Sequence, residues 1–119
     1  MKSLILGLMI AMSAALPAAA EWQHIGDNES ETSFYIDDES IREINGGYQY
    51  SEMLISESQN KYLVVQEQML CSERATRITG YESYTRNGKL IQSRQIPNDK
   101  FGKIVIDTVK ATLWEKLCN

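Results

Sequence analysis

Two cysteines set the strongest constraint on this chain. Cys71 follows its most apolar strand-like run, Lys61 to Leu70, and Cys118 is the penultimate residue. Two cysteines allow one pairing. A bond between them fastens the middle of the chain to its C-terminal segment in a ring of about 47 residues, for which chain entropy gives roughly 4 kcal/mol. That is large beside the net stability of a small domain. The alternative is a pair of free, buried thiols, and the compartment decides between the two.

The first twenty residues indicate the compartment. Met1-Lys2-Ser3 is a short basic start, and Leu4 to Leu16 is apolar apart from Gly7 and Ser13. Pro17-Ala18-Ala19-Ala20 then supplies the small residues of a signal-peptidase site. We expect residues 1–20 to be a signal peptide of bacterial form, cleaved between Ala20 and Glu21, and residues 21–119 to be a single domain. The run is shorter than the roughly 20 apolar residues of a membrane span, and no second one exists, so no membrane span is expected. No cysteine lies near the cleavage site, so no lipid anchor is expected either. The expected location is the periplasm or beyond, where disulfides persist. Without Lys2 the chain holds 11 basic and 16 acidic residues, a net charge of −5. Such a surface does not attract nucleic acid or anionic lipid.

Alternation of apolar residues marks strands at Glu21–Ile25, Ser33–Ile36, Tyr48–Glu57, Lys61–Leu70, Arg74–Arg86 and Lys89–Ile96. Ser40–Glu43 fits either a short strand or one helical turn. Asn45-Gly46-Gly47 and Asn87-Gly88 read as hairpin turns, and Gly80 as the mark of a bulge. Tyr62-Leu63-Val64-Val65 is apolar on both faces, which suits a central strand. The period changes near the end. Val109, Leu113 and Leu117 recur at helical spacing, as do Trp114 and Cys118, and Asp107 is a plausible N-cap. The pattern predicts an α+β fold: an antiparallel meander of five or six strands, with a C-terminal helix from about Thr108 to Leu117 packed on one face and one disulfide closing it.

Catalytic chemistry finds little purchase. His24 is the one histidine and sits in an edge strand. A metal site needs several convergent ligands, and a Cys–His nucleophile needs a reduced, activated thiol. No cofactor is expected. Asp37-Asp38-Glu39 is the densest acidic cluster, but adjacent carboxylates on a turn do not face each other across a cleft, as acid–base work requires. A small hydrolase built on Asp37 and Asp38 is therefore the weakest reading. Arg74, Arg77, Arg86 and Arg94 lie on or beside two neighbouring strands, with Tyr81 and Tyr84 close by. They make a candidate contact surface for a protein partner. Cross-strand pairing of these arginines with Glu67, Glu73 and Glu82 is the plainer alternative.

The assembled pattern resembles the surface-adhesin protein E-like family of small exported bacterial proteins. The residues that carry it are Trp22, Tyr35-Ile36-Asp37, the strand from Leu63 to Leu70 running into Cys71, Arg74 and Arg77 after it, and the C-terminal helix ending in Cys118. The resemblance implies an antiparallel sheet with a helix on it, closed by this disulfide. It also implies a non-enzymatic protein that binds host matrix or serum proteins and can form a homodimer. The named member is a lipoprotein, and this chain departs from it in lacking the lipidated cysteine. Two functions fit: adhesin-like contact with host or envelope macromolecules, or a periplasmic envelope stress or assembly factor.

Overall fold

The computed structural model describes residues 21–119; the expected signal segment, Met1 to Ala20, lies outside the described residues. The longest runs of alternating side chains build the middle of the sheet. These are β4 (Gly47–Ser56), β5 (Lys61–Leu70) and β6 (Ala75–Thr85). Before them come β1 (Trp22–Asp27), β2 (Thr32–Asp37) and β3 (Arg42–Ile44), and after them β7 (Leu90–Gln95) and β8 (Gly102–Lys103). The order β1-β2-β4-β5-β6-β7 is antiparallel throughout. β3 extends the sheet along β4, and β8 along β6. The meander and, among the described residues, its one α-helix, α1 (Val109–Cys118), are as the sequence predicts.

Eight strands replace the expected five or six. The additions are three and two residues long, too short for alternation to show. The segment left open between strand and helical turn holds both: a 3₁₀ turn at Asp38–Ser40 and then β3.

Local chemistry fixes the register. Asn45-Gly46 joins β3 to β4, with Gly46 at φ 88°. A Cβ on Gly47 would lie 1.7 Å from the Met69 carbonyl oxygen, so only glycine lets β4 and β5 meet there. The β6–β7 loop is one residue longer than expected. Thr85 N–H donates to the Lys89 carbonyl across Arg86-Asn87-Gly88, and Gly88 takes φ 95°. Bulges fall at Ile25, at Thr79 beside Gly80, and at Ile91.

Each face of the sheet carries a core. One holds Trp22, Tyr35, Met53, Ile55, Tyr62 and Val64, with Tyr84 stacked on Tyr62 at 5.0 Å between ring centres. The other lies under the helix and holds Ile36, Tyr50, Met69 and Leu113, with Ile25, Ile104, Trp114 and Leu117 around them. Ile25 alternates with Trp22 and His24 and so faces the helical side, where it joins the second cluster, and the bulge there lets Gly26 face the same side, against Val109.

Candidate contact surface

The helix is held down by three different bonds. At its C-terminal end Cys71 and Cys118 form a disulfide, with Cα atoms 5.6 Å apart. One turn earlier the Trp114 Nε1–H donates to the Cys71 carbonyl at 2.9 Å. In its first turn Lys110 reaches down to the sheet and pairs with both Glu52 on β4 and Glu67 on β5. The Tyr50 hydroxyl donates to the same Glu67 oxygen at 2.7 Å. Thr108 begins the helix, its hydroxyl oxygen accepting from Ala111 N–H. The expected cap, Asp107, is one residue too early. It adopts φ 63°, the left-handed kink that turns the chain into the helix, a conformation aspartate tolerates better than most residues.

This polar cluster is costly where it lies. Glu52 is 2 % exposed, and its second carboxylate oxygen has no partner. Two carboxylates share one ammonium, so the cluster carries a net negative charge if both ionise. Burial first, then repulsion from Glu67, pushes the Glu52 carboxyl up to about 7 against the pull of Lys110. Burial opposes the charge on Lys110, but attraction to Glu52 and Glu67 outweighs it and holds the ammonium above its ordinary range. Burial also drives the Tyr50 hydroxyl far up, so it stays a donor.

Two grooves open on the helical side. One, of about 440 Å³, lies over Leu54, Leu63, Tyr81 and Ser83, with Gln59, Lys61 and Gln92 among its walls. Its origin is a mismatch of lengths. Strands of 10 residues span about 33 Å, while a helix of 10 covers about 15 Å. The other, of about 640 Å³, runs between β1, the first turns of α1 and the segment from Ile104 to Thr108.

The six residues of the expected contact surface do not form one stripe. Arg74, at φ 48°, lays its guanidinium 4.1 Å from the centre of the Trp114 ring, on the helical side. Arg77 lies 4.5 Å from the Phe101 ring and donates to Gln68. Tyr81 opposes Val65 and Arg94, whereas Tyr84 opposes and stacks on Tyr62, on the other face. Arg86 sits in the β6–β7 loop. Tyr81 and Tyr84 are three apart and so lie on opposite faces, while Arg77 and Tyr81 are four apart and are divided by the bulge at Thr79. The expected cross-strand acids are engaged elsewhere: Glu67 with Lys110, and Glu82 accepting from the Tyr84 hydroxyl. Asp37 is likewise used for structure, its carboxylate accepting from the backbone N–H groups of Glu21 and Glu39. Among the described residues no three of His, Cys, Asp and Glu converge as metal ligands, and no helix is long and apolar enough to cross a membrane.

The sequence model of the surface-adhesin protein E family matches residues 22–119. The chain belongs to that family. The match covers every described strand and the helix, and runs through both disulfide cysteines. No curated protein and no solved structure matches the chain. The resemblance drawn from Trp22, Cys71, Cys118 and the residues between is therefore a family relationship, and the sheet, helix and disulfide it implies are those described above.

The Lys110–Glu52–Glu67–Tyr50 cluster is what sequence reading missed. Its signal was present but faint. Glu52 and Glu67 each occupy an apolar position in the alternation of their strands, and Lys110 falls one residue after Val109 on the helix.

Proposed function

We propose that the chain is an exported, non-enzymatic domain that acts by adhesin-like contact with a host or envelope macromolecule. The observation that carries this reading is the match to the surface-adhesin family across the whole described chain. The physical form of the helical side supports it. Its titratable cluster is closed over by the helix and used to hold that helix, while two shallow grooves face outward. Of the six residues proposed for contact, Tyr81 lines one groove and Arg74 the other; Arg86 and Arg94 are exposed, and Arg94 stands opposite Tyr81 in the sheet.

The test is direct. Residues 21–119, oxidised and immobilised, are exposed to purified extracellular matrix proteins and separately to solubilised cell-envelope extract, with binding followed by interferometry. At least one macromolecule is expected to bind saturably. No capture from either source contradicts the reading.

A further inference from the structure

The larger groove has a chemistry of its own. Ile25, Ile104, Val109 and Trp114 are its apolar lining. Ile106 forms one lip and is 76 % exposed, and its neighbour Val105 is 66 % exposed. Backbone geometry holds them out. Asp107 is left-handed, and the Thr108 hydroxyl donates to the Val105 carbonyl at 2.7 Å while its oxygen caps the helix. Folding these two residues inward would undo that cap. An apolar lip fixed in water beside an apolar groove is the form of a contact site rather than of a stray surface residue.

The rim decides what kind of segment the groove suits. Three carboxylates line it: Asp27, Asp107 and Glu115. Asp27 is paired with His24 at 2.9 Å. No Lys, Arg or His pairs with Asp107 or Glu115 among the described residues. The one cation in the lining, Arg74, is laid flat on the Trp114 ring. An apolar cleft edged by unneutralised carboxylates, on a chain that is acidic overall, complements apolar side chains flanked by positive charge.

We propose that this groove binds an extended segment of a partner protein, two or three apolar residues long, flanked by lysine or arginine. The apolar residues seat against Val109 and Ile106, and the flanking cations reach Asp107 and Glu115. The inference rests on the contact reading above and narrows its partner to a basic, apolar segment.

Fluorescence anisotropy tests it on oxidised residues 21–119. The probe is a labelled synthetic peptide with Leu-Val-Leu flanked on each side by Lys-Arg. Its controls are the same core flanked by Glu, and the basic flanks around Ser-Ser-Ser. Only the first peptide is expected to bind well. The double variant Asp107→Asn, Glu115→Gln should weaken it about fivefold and flatten its salt dependence. Ile106→Ser should weaken it as much and leave the salt dependence alone. All three positions are exposed, and an unchanged melting point in each variant confirms that the fold is kept. Equal binding of basic- and acidic-flanked peptides, or binding indifferent to both variants, overturns the proposal. If no peptide binds while the domain still captures a macromolecule, this groove is not the site and the contact reading stands. If neither binds, both fall.

Discussion

At the scale of single residues, Lys110 carries the most consequence. Among the described residues it is the one cation paired with the two buried carboxylates, and removing it strands both. Lys110→Met should therefore cost about 3 kcal/mol or more at pH 8, and clearly less at pH 5, where the Glu52 carboxyl holds its proton. The wild-type chain has a pH dependence of its own. Glu52 holds its proton to about pH 7 when folded, against 4.5 for an ordinary glutamate. Between those values the folded state binds more protons than the unfolded, so stability falls as pH rises from about 5 to about 8, by something on the order of 1–3 kcal/mol. Glu52→Gln should flatten that slope. Urea denaturation of both variants and the wild type at the two pH values measures each effect, and a slope unchanged by Glu52→Gln would show that the glutamate is not its source. The sequence carried only a faint sign of this, in two glutamates at apolar positions of their strands. Their roles depend on Lys110, 58 and 43 residues away, and nothing in a linear pattern couples the three.

At the scale of elements, α1 is too short to be stable alone, since isolated helices below about 12–15 residues are marginal in water. It exists because Leu113 is fully buried against Ile36, Tyr50 and Met69. Leu113→Ala should destabilise the domain by about 2–5 kcal/mol, read as a lower urea midpoint. Amide exchange would show residues 109–118 opening more readily than β4 and β5. Uniform protection across helix and sheet in the variant would argue against a helix held by this contact. The helix was readable because Val109, Leu113 and Leu117 repeat at its period, and the long strands because β4 and β5 alternate over ten residues each. β8 was not, and β3 was readable only as one of two options for Ser40–Glu43, for they owe their pairing to β6 and β4 rather than to any pattern of their own. The start of the helix was misplaced by one residue for a similar reason. Asp107 and Thr108 are both good caps by type, and only the left-handed turn at Asp107 assigns the role to Thr108. The expected contact residues divide between the two faces for a geometric reason: Tyr81 and Tyr84 are three apart on one strand, and the bulge at Thr79 separates Arg77 from Tyr81.

At the scale of the whole molecule, sheet and helix act as one body because they are fastened at both ends of the helix, by Lys110 in the first turn and by Cys118 in the last. Cys71 directly follows β5, the strand that contributes to both cores, so the bond joins the helix to the middle of the sheet. The larger groove exists only while the helix is docked, since Val109, Trp114 and Glu115 form one of its walls. The measurement that bears most directly on this account is the thermal unfolding of residues 21–119 with the disulfide intact and as Cys71→Ser. A ring closed over a sequence separation of 47 residues is worth roughly 4 kcal/mol, which for a domain of this size lowers the melting point by about 15 °C or more. The account predicts that drop, together with loss of binding to the basic apolar peptide at temperatures where the variant has begun to open. An unchanged melting point, with the variant as well folded as the oxidised chain, would contradict it.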